Sequence, residues 1–250
     1  MDIKEFFENH GSVAVAFSGG VDSAALLCLA KKYAKKVCAY YVKTQFQPQF
    51  ELDDALEIKE LLGVEMKIIR LNVLSDERVA ENPKNRCYFC KRNIFSAICN
   101  AARDDGFETV LDGTNASDDL SDRPGVKALN EYGVLSPLML CNITKEDIRS
   151  IARENALPVA DKPSYACLAT RIPFGTPIDE SLLIKTEKAE NMMRSLGFRN
   201  FRVRYKNGAA LLQLGRAEFE LLSENREKIF SELEKSYSNV FLDLRERKDE

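Results

Sequence analysis

The chain has 250 residues, enough for one large domain or two modest ones, and 45% of them are apolar. Its 36 basic and 39 acidic residues give a formal net charge of -3, which argues against a general nucleic-acid binder. Because residues 1–12 lack a signal-peptide pattern and no apolar run reaches about 18 residues, we expect a cytoplasmic protein without a membrane span.

The first 160 or so residues alternate between strand patterns and helix patterns. Strands are predicted at residues 13–17, 37–42, 66–71 and 109–112. Helices are predicted at residues 23–34, 52–62, 91–103 and 144–155. This alternation predicts an α/β fold with a doubly wound parallel sheet, in which ligands bind at the carboxyl ends of the strands.

The chain after Arg171 follows a different pattern. Residues 172–177, rich in Pro and Gly, predict a linker. Beyond it, a hairpin is predicted to turn at Asn207-Gly208. The predicted helices and strands of this region are at residues 180–196, 201–205, 209–214 and 217–237. We therefore predict a first domain over residues 1–171 and a smaller α/β domain, for substrate binding or oligomerisation, over residues 172–250.

The sequence SGGVDS at residues 18–23 joins the first predicted strand to the first predicted helix. Backbone N–H groups of a Gly-rich turn and the dipole of the following helix favour an anion, and the serine hydroxyls can donate further hydrogen bonds. The sequence is neither a Walker A loop nor a dinucleotide fingerprint. Because Asp22 adds a carboxylate beside the expected phosphates, we predict a pyrophosphate site that also holds Mg²⁺.

In this setting SGGVDS resembles the PP-loop of the ATP pyrophosphatases, whose fold is of the adenine nucleotide alpha hydrolase type. That resemblance implies cleavage of ATP between its α- and β-phosphates and adenylation of a second substrate. It also implies ATP-binding roles for the residues of the loop, with Asp22 acting in addition as a catalytic residue and Mg²⁺ ligand. These loop residues are Ser18, Gly19, Gly20, Asp22 and Ser23.

A second segment, DGTNASDD at residues 112–119, follows a predicted strand and is expected at the same crevice. It looks like the Gly-Thr-Asn segment of PP-loop enzymes, which implies nucleotide contacts from Gly113, Thr114 and Asn115. A solvated Asx-rich loop is the alternative interpretation for the two aspartates that end this segment.

The seven cysteines are an odd number, which argues against a disulfide framework in a cytosolic chain. Cys87 and Cys90 form a C-x-x-C pair just before a predicted helix, and Cys167 follows the last helix of the first domain. Three thiolates are too few for a closed zinc site, but they suit a 4Fe-4S cluster with one open iron. Inert core thiols are the alternative. The remaining four are interpreted as small buried hydrophobes: Cys28, Cys38, Cys99 and Cys141.

The segment KPSYACLATRIPFG at residues 162–175 carries the most specific resemblance. It is joined by SGGVDS and DGTNASDD and by three short motifs, RPG at 123–125, SPL at 136–138 and FRVRY at 201–205. Together they resemble the LarE family of ATP-dependent sulfur transferases, which build the nickel-pincer nucleotide of lactate racemase. The resemblance covers nearly the whole chain.

By this resemblance, the enzyme adenylates pyridinium-3,5-biscarboxylic acid mononucleotide and converts its carboxylate to a thiocarboxylate. One form of the family has only the cysteine equivalent to Cys167, which gives up its own sulfur and becomes dehydroalanine. The other form also has the C-x-x-C pair, and its three cysteines hold a cluster whose open iron carries sulfide. Since Cys87 and Cys90 are present, we hypothesise a reusable, cluster-dependent enzyme in which Cys167 is also catalytic.

Strand alternation places Arg202 and Arg204 on one face, where we expect them, with Arg171, to bind an anionic part of the substrate. A solvated strand face is the alternative. Glu187 and Glu190 are weaker candidates for a catalytic or oligomer role, because most glutamates on helix faces are solvated. We also expect a sulfide donor and a homo-oligomer, without nucleic-acid or membrane partners.

Three rival functions are considered. A PP-loop iron-sulfur tRNA thiolase would need a basic surface, and the sequence pI of about 5.6 argues against one. GMP and NAD synthetases share the loop but leave the three cysteines unexplained. A nucleotide-binding or metal-storage module would bind ATP and the cluster without releasing pyrophosphate.

Overall fold

The computed structural model describes residues 1–119, 124–163 and 165–247. Contacts between Cα atoms divide the chain into two compact units. The first unit comprises residues 1–73 and 85–162, and the second comprises residues 74–84 and 163–250. In the described residues, none of the helices combines the length and the apolar character needed to cross a membrane.

The first unit is built on a parallel sheet with strand order β3-β2-β1-β4. Its strands are β1 (Ser12–Ala16), β2 (Lys36–Lys43), β3 (Glu65–Arg70) and β4 (Thr109–Leu111). Its helices are α1 (Ile3–Asn9), α2 (Val21–Tyr33), α3 (Gln49–Leu62), α5 (Arg86–Asp104), α6 (Pro124–Glu131), α7 (Pro137–Leu140) and α8 (Lys145–Glu154), with α4 in the second unit. The predicted α/β class with a parallel sheet is confirmed.

Helices cover both faces of this sheet. Along β1, Val13 and Val15 pack into the core that contains α2, whereas Ala14 packs into the opposite core with Phe95 and Ile98 of α5. Strands buried on both faces are apolar throughout, which explains the continuous apolar run in the sequence. The loop that leaves the carboxyl end of β1 therefore starts from a rigid, fully buried strand.

The second unit contains a three-stranded sheet of order β5-β6-β7. Its elements are α4 (Glu77–Ala80), α9 (Glu180–Ser195), β5 (Phe201–Lys206), β6 (Ala209–Leu214), α10 (Glu218–Leu233) and β7 (Val240–Leu242). Short 3-10 turns lie at Val73–Ser75 and Leu168–Arg171. The predicted hairpin is present: β5 and β6 are antiparallel, and Asn207 and Gly208 both have positive φ.

The contacts divide the chain at a different point from the predicted boundary between residues 171 and 172, which stays a prediction. Residues 163–171 group with the second unit, and so does the segment 74–84. In that segment the buried Asn82 donates from its side-chain amide to the carbonyl oxygens of Pro173 (2.8 Å) and Thr176 (3.1 Å). These hydrogen bonds connect residues that lie about ninety positions apart and leave no local sequence signal.

Two helices begin earlier than predicted, and both differences affect candidate site residues. α5 begins at Arg86 rather than at residue 91, so Cys87 and Cys90 lie in its first turn and not before it. α2 begins at Val21, so Asp22 is a helical residue rather than a loop residue. Neither N-cap makes a side-chain hydrogen bond to the helix, so the usual sequence signal for a helix start is missing.

Candidate active site

The loop between β1 and α2 is closed by its own serines. The Ser18 backbone N–H donates to Ser23 Oγ at 3.2 Å, and Ser23 Oγ donates to the Gly20 carbonyl at 3.1 Å. Gly19 has φ +80°, and a Cβ there would lie 2.9 Å from the Glu51 carbonyl oxygen. The first N–H groups of α2 have no intrahelical acceptors and lie next to this turn, as an anion site requires.

The chain that follows β4 packs directly on the start of α2. A Cβ at Gly113 would lie 2.9 Å from the Ser23 backbone nitrogen and 3.1 Å from the Asp22 carbonyl carbon, so the approach requires glycine. Asn115, which is 4% exposed, donates from Nδ2 to Asp22 Oδ1 at 3.2 Å. The two segments predicted to share a crevice therefore lie in contact within the first unit.

Asp112, buried at the end of β4, organises this second segment. It accepts hydrogen bonds from Thr114 Oγ1 and Ser136 Oγ, both at 2.5 Å. Because the Thr114 hydroxyl proton is donated to Asp112, that hydroxyl offers a nucleotide an acceptor oxygen only. Ser136, part of the SPL motif, thus has a structural role in holding the strand end.

Lys145 lies against Asp22, and sequence reasoning missed it. Its Nζ donates to both Asp22 carboxylate oxygens at 2.7 Å, across 123 positions of sequence. Lys145 is the first residue of α8, which starts with a capping box between Thr144 and Asp147. The capping box was a visible signal for the helix, but it gave no indication that the adjacent lysine meets Asp22.

Cys87 and Cys90 lie one helical turn apart at the start of α5, so their thiols share a face. Cys87 is exposed and Cys90 is half-buried. The Arg86 guanidinium, 2% exposed, stacks over the Phe46 ring, and its Nη2 lies 3.7 Å from Cys87 Sγ. The pair is therefore accessible and has a cationic neighbour.

The four cysteines interpreted as packing residues lie in or against the hydrophobic cores. Burial raises the pKa of each of their thiols, so they stay protonated. Cys28 and Cys38 are buried, whereas Cys99 and Cys141 are half-buried. The first two confirm the interpretation as buried hydrophobes, and the other two meet it in part.

Cys167 lies in the second unit, immediately before the 3-10 turn Leu168–Arg171. The Arg171 guanidinium forms a buried ion pair with Glu190 of α9, with Nε 2.7 Å from Oε1. Glu190 is 1% exposed, so the expectation that helix-face glutamates are solvated is wrong for this residue. Arg171 also donates from Nη1 to the Ala166 carbonyl at 2.7 Å.

Arg202 and Arg204 of β5 are engaged within the second unit. Arg202 is buried and donates to the Phe201 carbonyl at 2.7 Å, and burial together with the charge of Arg171 lowers its pKa to about 10. Arg204 donates to the Gln213 side chain and, at 2.6 Å, to the Thr170 carbonyl. A solvated strand face does not describe Arg202, and substrate binding by these arginines stays a prediction.

Within the described residues, no group of three or more His, Cys, Asp or Glu side chains converges to hold a metal ion. The three cysteines predicted to bind a cluster are divided between the units, with Cys87 and Cys90 in the first and Cys167 in the second. Two residues of the family motifs, Arg123 and Ser164, lie outside the described residues.

The parallel sheet, the SGGVDS turn and the Gly113–Asp22 contact define a PP-loop nucleotide-binding domain. The family model described as queuosine biosynthesis protein QueC matches residues 12–83. The chain is 33% identical to the pyridinium-3,5-bisthiocarboxylic acid mononucleotide synthase of Lactiplantibacillus plantarum, covering 82% of this chain and 75% of that protein. It belongs to the LarE family of PP-loop sulfurtransferases and is an ATP-dependent enzyme.

Two further relatives frame this result. The chain is 34% identical to the protein slr1717 of Synechocystis, over 85% of this chain and 80% of that one. It is 27% identical to the tRNA-specific 2-thiouridylase MnmA of Thermotoga maritima, over 82% of this chain and 71% of that enzyme. Relatedness thus extends to a second class of PP-loop thiolating enzyme at lower identity.

Proposed function

We propose that this enzyme activates a carboxylate of pyridinium-3,5-biscarboxylic acid mononucleotide with ATP and replaces one carboxylate oxygen by sulfur, as a step in forming the nickel-pincer nucleotide. The observation that carries the proposal is the contact of Asp22 with Lys145 and Asn115 beside the SGGVDS turn. The substrate follows from the Lactiplantibacillus plantarum relative, whose name states the bisthiocarboxylic product.

In the first step the substrate carboxylate oxygen attacks the α-phosphorus of ATP. The bond from that phosphorus to the bridging oxygen breaks, and pyrophosphate leaves with the electron pair. The SGGVDS turn and the N-terminus of α2 bind the phosphates, and Lys145 neutralises charge that develops on pyrophosphate. The products are an acyl adenylate and pyrophosphate.

Asp22 is the residue that would hold Mg²⁺. The fit is supported by the Lys145 ammonium, which lies 2.7 Å from both Asp22 oxygens and shows that this carboxylate faces a position suited to a cation. When bound, Mg²⁺ supplies charge neutralisation to the phosphates. Asn115 orients Asp22 through its Nδ2–H.

In the second step a sulfur nucleophile attacks the acyl carbon of the adenylate. The bond from carbon to the AMP oxygen breaks, AMP leaves with the electron pair, and the thiocarboxylate remains. Cys87, Cys90 and Cys167 would hold a 4Fe-4S cluster, which supplies a hydrosulfide sulfur when bound. The donor type and the one-turn spacing of the accessible Cys87–Cys90 pair fit such a group.

The test is anaerobic turnover with ATP, Mg²⁺, sulfide and the pyridinium dicarboxylate mononucleotide, followed by intact-protein and product mass. We expect more than one thiocarboxylate per chain and an unchanged protein mass. One product per chain with a loss of about 34 Da, the mass of H₂S, would instead show that Cys167 is consumed. Absence of thiocarboxylate under these conditions would overturn the proposed substrate.

A tRNA thiolase is the second candidate, favoured by the 27% identity to MnmA. The net charge of -3 provides little electrostatic attraction for RNA. An electrophoretic shift of tRNA that weakens with salt, together with tRNA thiolation, would establish this candidate. We expect neither.

Replacing Lys145 by alanine is expected to lower the rate of pyrophosphate release by about 100-fold, since one preorganised donor to developing charge is lost. Lys4→Ala is the matched control, because Lys4 is exposed and its Nζ lies 3.8 Å from Glu8 in a surface pair. Pyrophosphate release is measured at saturating ATP for both variants. An unchanged rate in Lys145→Ala would remove this lysine from the mechanism.

A further inference from the structure

A buried polar cluster lies behind Cys167 in the second unit. The Arg171 guanidinium meets the Glu190 carboxylate with two hydrogen bonds, Nε to Oε1 at 2.7 Å and Nη2 to Oε2 at 3.1 Å. Tyr165 Oη–H donates to Glu190 Oε2 at 2.6 Å, and the Val203 backbone N–H donates to Oε1 at 3.1 Å. Both oxygens of this carboxylate therefore have two donors each.

The third guanidinium nitrogen of Arg171 holds the backbone on both sides of Cys167. Its Nη1 donates to the Ala166 carbonyl at 2.7 Å, to the Cys167 carbonyl at 3.4 Å and to Thr170 Oγ1 at 2.8 Å. Thr170 Oγ1 in turn donates to the Cys167 carbonyl at 2.8 Å. All three nitrogens of Arg171 thus donate within the cluster.

Tyr165 is enclosed by cations. The guanidinium carbons of three arginines lie over its ring, Arg171 at 4.5 Å, Arg202 at 5.1 Å and Arg194 at 5.3 Å. Burial and the charge of Glu190 hold the pKa of Tyr165 well above its usual value, so it remains a hydroxyl donor. The residue two positions before Cys167 is therefore fixed by its ring and by its hydroxyl.

This arrangement suits orientation more than stability. A buried ion pair contributes little net stability compared with apolar packing, because desolvation offsets the Coulomb attraction. Its directional hydrogen bonds nevertheless define one geometry, and an Arg–carboxylate fork does so in a plane. Sulfur transfer requires a nucleophile placed within a fraction of an ångström of its productive position.

We propose that Arg171 and Glu190 are positioning residues that fix the backbone carrying the Cys167 sulfur, with Tyr165 as their third member. This proposal rests on the proposed function only in taking Cys167 as a residue of the sulfur-transfer step. It gives Arg171 a role different from the predicted contact with substrate. Glu190 acts through Arg171 and is not itself in contact with the reacting atoms.

The main test is Arg171→Lys, which keeps the positive charge and removes the planar fork. We expect thiocarboxylate formation to fall at least about tenfold, while the KM for ATP and the rate of pyrophosphate release stay within twofold, because the ATP site lies wholly in the first unit. Arg226→Lys, an exposed position on α10, is the matched control and should behave as wild type. A wild-type rate of thiocarboxylate formation in Arg171→Lys would overturn the proposal.

Amide hydrogen exchange of residues 165–171 tests the same positioning role without turnover. We expect at least about tenfold faster exchange in Arg171→Lys, and unchanged exchange would contradict the proposal even if the proposed substrate proves wrong. Should that variant fail to fold, Tyr165→Phe keeps the ring and removes only the hydroxyl that meets Glu190. Wild-type exchange together with wild-type thiocarboxylate formation in Tyr165→Phe would then overturn it.

Discussion

Replacing Cys167 by alanine is expected to reduce thiocarboxylate formation by at least about a thousandfold, because the step that moves sulfur loses the thiol on which it depends. Pyrophosphate release should continue at a rate within a few-fold of wild type, since the residues proposed to bind ATP lie in the first unit. The two products, pyrophosphate and thiocarboxylate, are measured in the same anaerobic reaction.

Cys141→Ala is the matched control for this prediction. Cys141 is half-buried against the first core, and burial raises the pKa of its thiol, so it is a poor nucleophile. We expect both products at the wild-type rate. Retention of more than about a tenth of thiocarboxylate formation in Cys167→Ala would show that the sulfur reaches the substrate without this residue.

Replacing Gly113 by alanine is expected to weaken ATP binding by about 10- to 100-fold. The added Cβ would lie 2.9 Å from the Ser23 backbone nitrogen, and backbone on both sides must shift to relieve the overlap. Overpacking of this kind costs roughly 1–3 kcal/mol, and about 1.4 kcal/mol corresponds to tenfold in affinity. Calorimetric titration with a non-hydrolysable ATP analogue gives the dissociation constant.

Gly11→Ala provides the comparison, because its added Cβ would meet only the Lys35 side chain, at 3.1 Å, and a flexible side chain can move aside. Its affinity for the analogue should match that of wild type. Equal affinities for Gly113→Ala and Gly11→Ala would show that the close approach of the Gly113 segment to α2 is not required for nucleotide binding.

Much of the first unit was predictable because its signals are local. Buried parallel strands are continuously apolar, and the SGGVDS turn needs the small residues found between β1 and α2. The family assignment could likewise be predicted, since its motifs are short runs of adjacent residues. Helix starts were less accurate where the N-cap lacks a side-chain hydrogen bond, as at Asn85 before Cys87.

The sequence by itself determined the α/β class, the PP-loop and the identity of the candidate thiols. Only the tertiary structure decided that Lys145 meets Asp22 and that Glu190 is buried against Arg171. A lysine at a helix start and a glutamate on a helix face are ordinary residues in sequence, because charge and spacing look the same in solvent and in a site. Which of them becomes a partner depends on contacts between elements far apart in the chain, and local patterns do not encode those contacts.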